Sequence, residues 1–262
     1  MTERPRKPAR KSEGNDQKMI QEGILRALWV PLQGESMGWT LGIALWGAFM
    51  AGVVAVFGAF PIVGLLATLA SLAVFYRLCA GYFDACFNGA RGGRLEPAAT
   101  AASGDFSMMG YALGGGAVLV YLIGYVIAIH LVILGAFGMD PTNPTYTDNA
   151  VLLGVRTLLF VPAPVAFALR AASQSSIALF ALPHQLRVMA AAGGAYVVPV
   201  LVGNFALAVP FTLLMVSADA GLVPLLLELL LSSAISAYAF GAMGAAMGWI
   251  ANRNKDVDGL LG

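Results

Sequence analysis

Charge is scarce in this chain. Lys, Arg, Asp and Glu make up 11% of its 262 residues, where soluble proteins carry about a quarter. Between residues 38 and 250 only six basic residues occur: Arg77, Arg91, Arg94, Arg156, Arg170 and Arg187. Apolar lipid tolerates charge least of all, so this scarcity excludes an ordinary soluble domain and marks where the chain leaves a bilayer. Cysteine is as sparse. Cys79 and Cys86 stand seven apart, about 10 Å along a helix, too far for a disulfide. With His130 and His184 they make no structural zinc set, so no metal or cofactor is expected. The net charge is +1, with the basic residues gathered at the ends, which leaves no face for nucleic acid. No Walker loop, His-Glu-x-x-His, Gly-x-Ser-x-Gly or paired acidic site is present, so no catalytic residue is assigned and a non-enzymatic protein is expected.

What is present is apolar: 59% hydrophobic residues, 31 glycines and a mean hydropathy of +0.78. The pattern predicts an all-α integral membrane protein with about six transmembrane helices, at residues 38–60, 62–82, 107–137, 151–173, 192–217 and 222–250. Residues 1–18, with Arg4, Arg6, Lys7, Arg10 and Lys11, read as a disordered basic cytosolic tail without a signal-peptide core. Residues 19–252 read as a single polytopic membrane domain, and 253–262 as a second cytosolic tail. Residues 19–30 carry Ile20, Ile24, Ala27 and Leu28 on one face, the mark of an interfacial amphipathic helix stopped by Pro31. Residues 175–188 resemble another such helix, with His184 and Arg187 on its polar side. Because Arg156, Pro162, Pro164 and Arg170 interrupt the fourth span, residues 151–190 read either as one span plus an interfacial helix or as a longer broken helix.

Basic residues fall on one side only. The N-terminal tail, the Arg91/Arg94 loop, the Arg187 segment and Arg253 with Lys255 share it, whereas the Pro61 turn, residues 139–149 and the Asp219 turn have none. The positive-inside rule then places both termini in the cytoplasm of a bacterial cytoplasmic (inner) membrane.

Ionisable groups inside spans are functional candidates, since burying one costs at least a few kcal/mol. Arg156, Glu228 and His130 fall at matching depth, roughly 8–10 Å below the outer surface by helix rise. They define an outer-leaflet polar cluster with an Arg156–Glu228 ion pair, set against a bland reading in which Arg156 snorkels and Glu228 bonds a neighbouring helix. Arg77 and Asp84 share a face at the inner head-group level. Asn204, flanked by Pro199 and Pro210, is expected to bond across helices. Gly241, Gly244 and Gly248 on span six, with Gly110 and Gly114 on span three, offer small-residue faces for close packing, within the chain or in a homo- or hetero-oligomer.

The succession ALWVPLQ, then Pro61-Ile62-Val63-Gly64, then GYFDACFNGARGGRLEPA and GDFSMMGYAL resembles a group of uncharacterised polytopic membrane proteins. These are domain-of-unknown-function families similar to the membrane domain found beside glycerophosphodiester phosphodiesterases. The resemblance covers residues 25 to about 215. It implies an amphipathic segment before the first span and a basic cytosolic loop after the second, and it implies no substrate. The Trp and acidic residues that follow Leu-Pro in some members are missing at Leu95-Glu96-Pro97. Two functions remain: a membrane scaffold or complex subunit surrounded by lipid, and a small-solute or lipid transporter using the outer-leaflet cluster.

Overall fold

The structure is a computed structural model and describes residues 20–57, 60–97, 108–138, 146–215 and 221–262. Among these residues every regular element is helical. Residues 20–27 form α1, followed by a short 3-10 turn at Val30–Leu32, α2 (Gly34–Phe57), α3 (Pro61–Arg91) and α4 (Met108–Phe137). Then come α5 (Tyr146–Phe160), α6 (Ala163–Ser173), α7 (Leu182–Ala192), α8 (Val197–Gly203), α9 (Ala208–Met215), α10 (Leu222–Arg253) and α11 (Lys255–Leu261). Six stretches are long and apolar enough to cross a membrane: Gly34–Phe57, Pro61–Arg91, Gly114–Ala136, Leu153–Ser173, Leu182–Leu213 and Leu222–Arg253. The chain is an all-α, multi-pass membrane protein. The expected basic tail 1–18 lies outside the described residues.

Local chemistry sets the helix ends. Pro61 opens α3, where a missing N–H costs nothing. The helix runs past Tyr82, the expected end of the second span, with Phe83 and Phe87 buried, and stops at Gly92 and Gly93. There Gly93 adopts φ +82°, its N–H bonds Ala90 O, and the Arg94 N–H bonds Gly89 O. That is a Schellman stop, which a glycine enters without a Cβ penalty. The NGARGGR run is therefore largely a helix end rather than a loop.

Helices α3 and α10 run parallel through the centre. Gly241 lies against the Tyr82 ring, Gly244 against Phe83 O, and Gly248 against Phe87 O. Between apolar helices in lipid, association depends on such close backbone approach rather than on expelling water. α2 crosses α10 with Gly47 against Ser233 and Leu229 O, and α4 meets α3 with Gly115 against Ala73 O and Gly114 against Arg77. The small-residue partners of span six thus lie inside this chain. Gly110 falls in the part of α4 whose surroundings are outside the described residues. Phe83, Phe167, Phe240 and Tyr76 fill the centre, all fully buried and in ring contact through Phe240–Phe167, Phe83–Phe167 and Tyr76–Phe240.

Spans four and five are broken. Val161 and Pro162 separate α5 from α6, and the Tyr196 hydroxyl enters the gap, donating to Val161 O and accepting from Val165 N at 3.3 Å. Those two backbone groups would bond each other in an unbroken helix. In the fifth span, 3-10 turns at Gly193–Tyr196 and Asn204–Leu207 precede Pro199 and Pro210. Each proline lacks an N–H and its ring crowds the carbonyl four residues back. Below Pro210 that carbonyl is Ala206 O, which accepts from Ser236 Oγ of α10 at 3.3 Å. Residues 151–190 are thus a broken fourth span, a 3-10 turn at Ser176–Phe180, and α7, which leads into span five.

The C-terminal segment is not a free tail. α11 packs under the basic end of the bundle with Val257 and Leu261 buried. Asn254 caps it, accepting from the Asp256 and Val257 N–H groups, and donates through Nδ2 to Ala191 O at 3.0 Å. Arg91 pairs with Asp258 at 2.6 Å and His184 Nε2 bonds Leu260 O.

Candidate functional site

Arg156 lies ten residues past the start of α5 and three residues inside the membrane-crossing stretch Leu153–Ser173. Its guanidinium carbon stands 5.1 Å from the centroid of the Phe211 ring on α9. His130 on α4 stacks on that same ring, with centroids 6.5 Å apart and planes 14° apart. The continuous α4 and two elements that border breaks, α5 and α9, thus bring an arginine and a histidine to one aromatic plate. The Arg156 Nε is buried and meets no hydrogen-bond partner among the described residues. His130 Nδ1 lies 2.7 Å from Val126 O, one turn back. A carbonyl only accepts, so Nδ1 carries the proton, and Nε2 is the ring nitrogen left over.

Glu228 does not join this set. Glu228 is exposed on α10 and takes part in neither the Arg91–Asp258 nor the Asp84–Arg170 ion pair. Equal depth brought Arg156 and Glu228 to one level but says nothing about direction around each helix. α5 packs chiefly on α4, with further contacts to α8, while α10 meets α9 through Thr212 and Ser232 and turns Glu228, one turn away, outward. The guanidinium of Arg156 instead lies over an aromatic ring, which the residue pattern did not single out. Its signal was Phe211 beside Pro210, at the depth of Arg156 on the neighbouring span.

Asn204 is 4% exposed in the second 3-10 turn. Its Nδ2 donates to Val200 O at 2.8 Å in its own span, instead of across helices, and Oδ1 is buried without a donor. The turn leaves the amide facing its own preceding carbonyl.

The ion pair buried within the helices is Asp84–Arg170. Arg170 is 7% exposed, bonds the Asp84 carboxylate through Nη2, and gives Nη2 also to Ala80 O at 2.9 Å. Arg170, one of the residues that interrupt the fourth apolar run, is aimed inward by α6 against α3. Two cavities lie elsewhere. One of about 670 Å³ opens at the basic end between Ile20, Gln21, Gly193, Gly194 and Asn254, and a groove of about 470 Å³ runs along α2 past Glu35, Gly38, Trp39 and Gly42. Neither is lined by Arg156, His130 or Glu228. No three His, Cys, Asp or Glu side chains converge among the described residues. No protein-family model, curated protein or solved structure matches the chain.

Proposed function

We propose that this chain is a non-enzymatic scaffold or complex subunit of a bacterial cytoplasmic membrane, with both termini in the cytoplasm. The observation that carries this reading is where the intramembrane polar groups are spent. Asp84 with Arg170, Tyr196 with the α5–α6 break, Ser236 with Ala206 O, and Thr212 with Ser232 all join helix to helix. Such joints rigidify a bundle and occupy the groups a solute path needs. The one-sided basic residues support the orientation. The test is purification in gentle detergent with identification of co-purifying proteins and lipids. A partner retained in fixed ratio is the expected result; a lone chain that carries solute in proteoliposomes refutes it.

One observation favours a second reading, transport of a small solute or lipid. Spans four and five are both discontinuous and pack together through α5, α6 and α8, as helices that border membrane binding sites do. Flux across vesicles that depends on Arg156 decides for it.

A further inference from the structure

We infer that Arg156 is the anchor of an anion site whose ligand is a phosphate group, in a place bounded by Phe211 and His130. The argument begins with an unbalanced charge. Arg156 lies within a membrane-crossing stretch and forms no ion pair among the described residues, whereas the chain neutralises Arg170 with Asp84. An arginine left alone in lipid is costly, and the remedy is an opposite charge. Glu228, the acid at its depth, is exposed on α10, and no acid among the described residues pairs with Arg156, which leaves its charge open to an external anion.

The surroundings suit that role. Stacking over Phe211 holds the guanidinium without using its N–H donors, which lie in the guanidinium plane. A planar fork of donors matches phosphate oxygens two at a time. Phe211 is a positioning residue, fixed by its neighbour Thr212, whose hydroxyl bonds Ser232 of α10. His130 stacks on the same ring and closes the place on the side of α4, with its Nδ1–H committed to Val126 O. Depth fits as well. Arg156 lies three residues inside the crossing stretch Leu153–Ser173, about 5 Å along the helix, within the reach of its flexible stem toward a head-group phosphate. The inference rests on neither functional reading above, since a scaffold and a transporter can each hold such a ligand.

Two sources share this chemistry, an anionic phospholipid head group and a soluble phosphate. The experiment titrates the full chain in non-ionic detergent with dihexanoyl phosphatidylglycerol and, separately, with inorganic phosphate, following the melting temperature and the NMR signal of the Arg156 Nε–H. Phosphatidylglycerol alone raising the melting temperature and moving that signal assigns a lipid head group; inorganic phosphate doing so assigns a soluble anion. Arg156→Gln is expected to weaken binding about tenfold or more, the loss of charge-assisted hydrogen bonds. An Arg156 signal that neither probe moves overturns the site, as does equal binding by Arg156→Gln. Should that variant not fold, the wild-type signal decides alone.

Discussion

Gly248→Ala tests whether α3 and α10 are held by backbone contact. A methyl at position 248 would stand 2.2 Å from Phe87 O and 3.0 Å from both Ala90 Cβ and Arg91 N. Ordinary contact begins near 3.4 Å, so the helices must part locally by roughly 1 Å. A gap of that size forfeits about a quarter to a half of each atom-pair attraction along the seam, and overpacking of this kind costs about 1–3 kcal/mol. Alanine returns up to about 1 kcal/mol through its better helix propensity. The balance is a loss of about 1–2 kcal/mol, roughly a tenfold rise in the unfolding equilibrium constant. Gly42→Ala is the matched control: its methyl meets nothing within 4 Å, so only the propensity gain remains. The assay is unfolding by increasing mole fraction of dodecyl sulfate in mixed micelles, followed by circular dichroism. A Gly248→Ala chain as stable as Gly42→Ala would falsify the claim that this contact holds the two helices.

Two further outcomes follow from the polar joints. Asp84→Ala strands the Arg170 guanidinium in the protein and is expected to cost about 3–5 kcal/mol, whereas Asp84→Leu with Arg170→Leu recovers most of it; the same mixed-micelle unfolding compares them, and equal losses in single and double variants refute the pairing. Tyr196→Phe removes the hydroxyl bridging Val161 O and Val165 N, for an expected loss of about 1–3 kcal/mol. Amide hydrogen exchange at Val165 reads it directly, and unchanged protection there would show that the two backbone groups pair without the tyrosine.

Much of the architecture was legible in residue order. Six apolar runs, the Pro61 turn and the small-residue repeat of span six depend on hydropathy and spacing, which are local properties. Span ends were less legible. α3 continues nine residues past Tyr82 because Phe83 and Phe87 bury against α10 and α6, a tertiary reason, and α11 folds because Val257 and Leu261 find a surface beneath the bundle. The proline breaks of spans four and five were visible as residues. Their repair was not, since Tyr196 and Ser236 reach the freed carbonyls from other segments.

The sequence by itself determined that this chain lives in a membrane, how many times it crosses, and in which span each ionisable group falls, because transfer to lipid depends on a residue and its near neighbours. Only the tertiary structure decided which groups meet. Depth is one coordinate, and the rotation of each helix about its axis is another that distant packing sets. That rotation turned Arg170 inward to Asp84, carried Glu228 outward, and set Arg156 and His130 against Phe211.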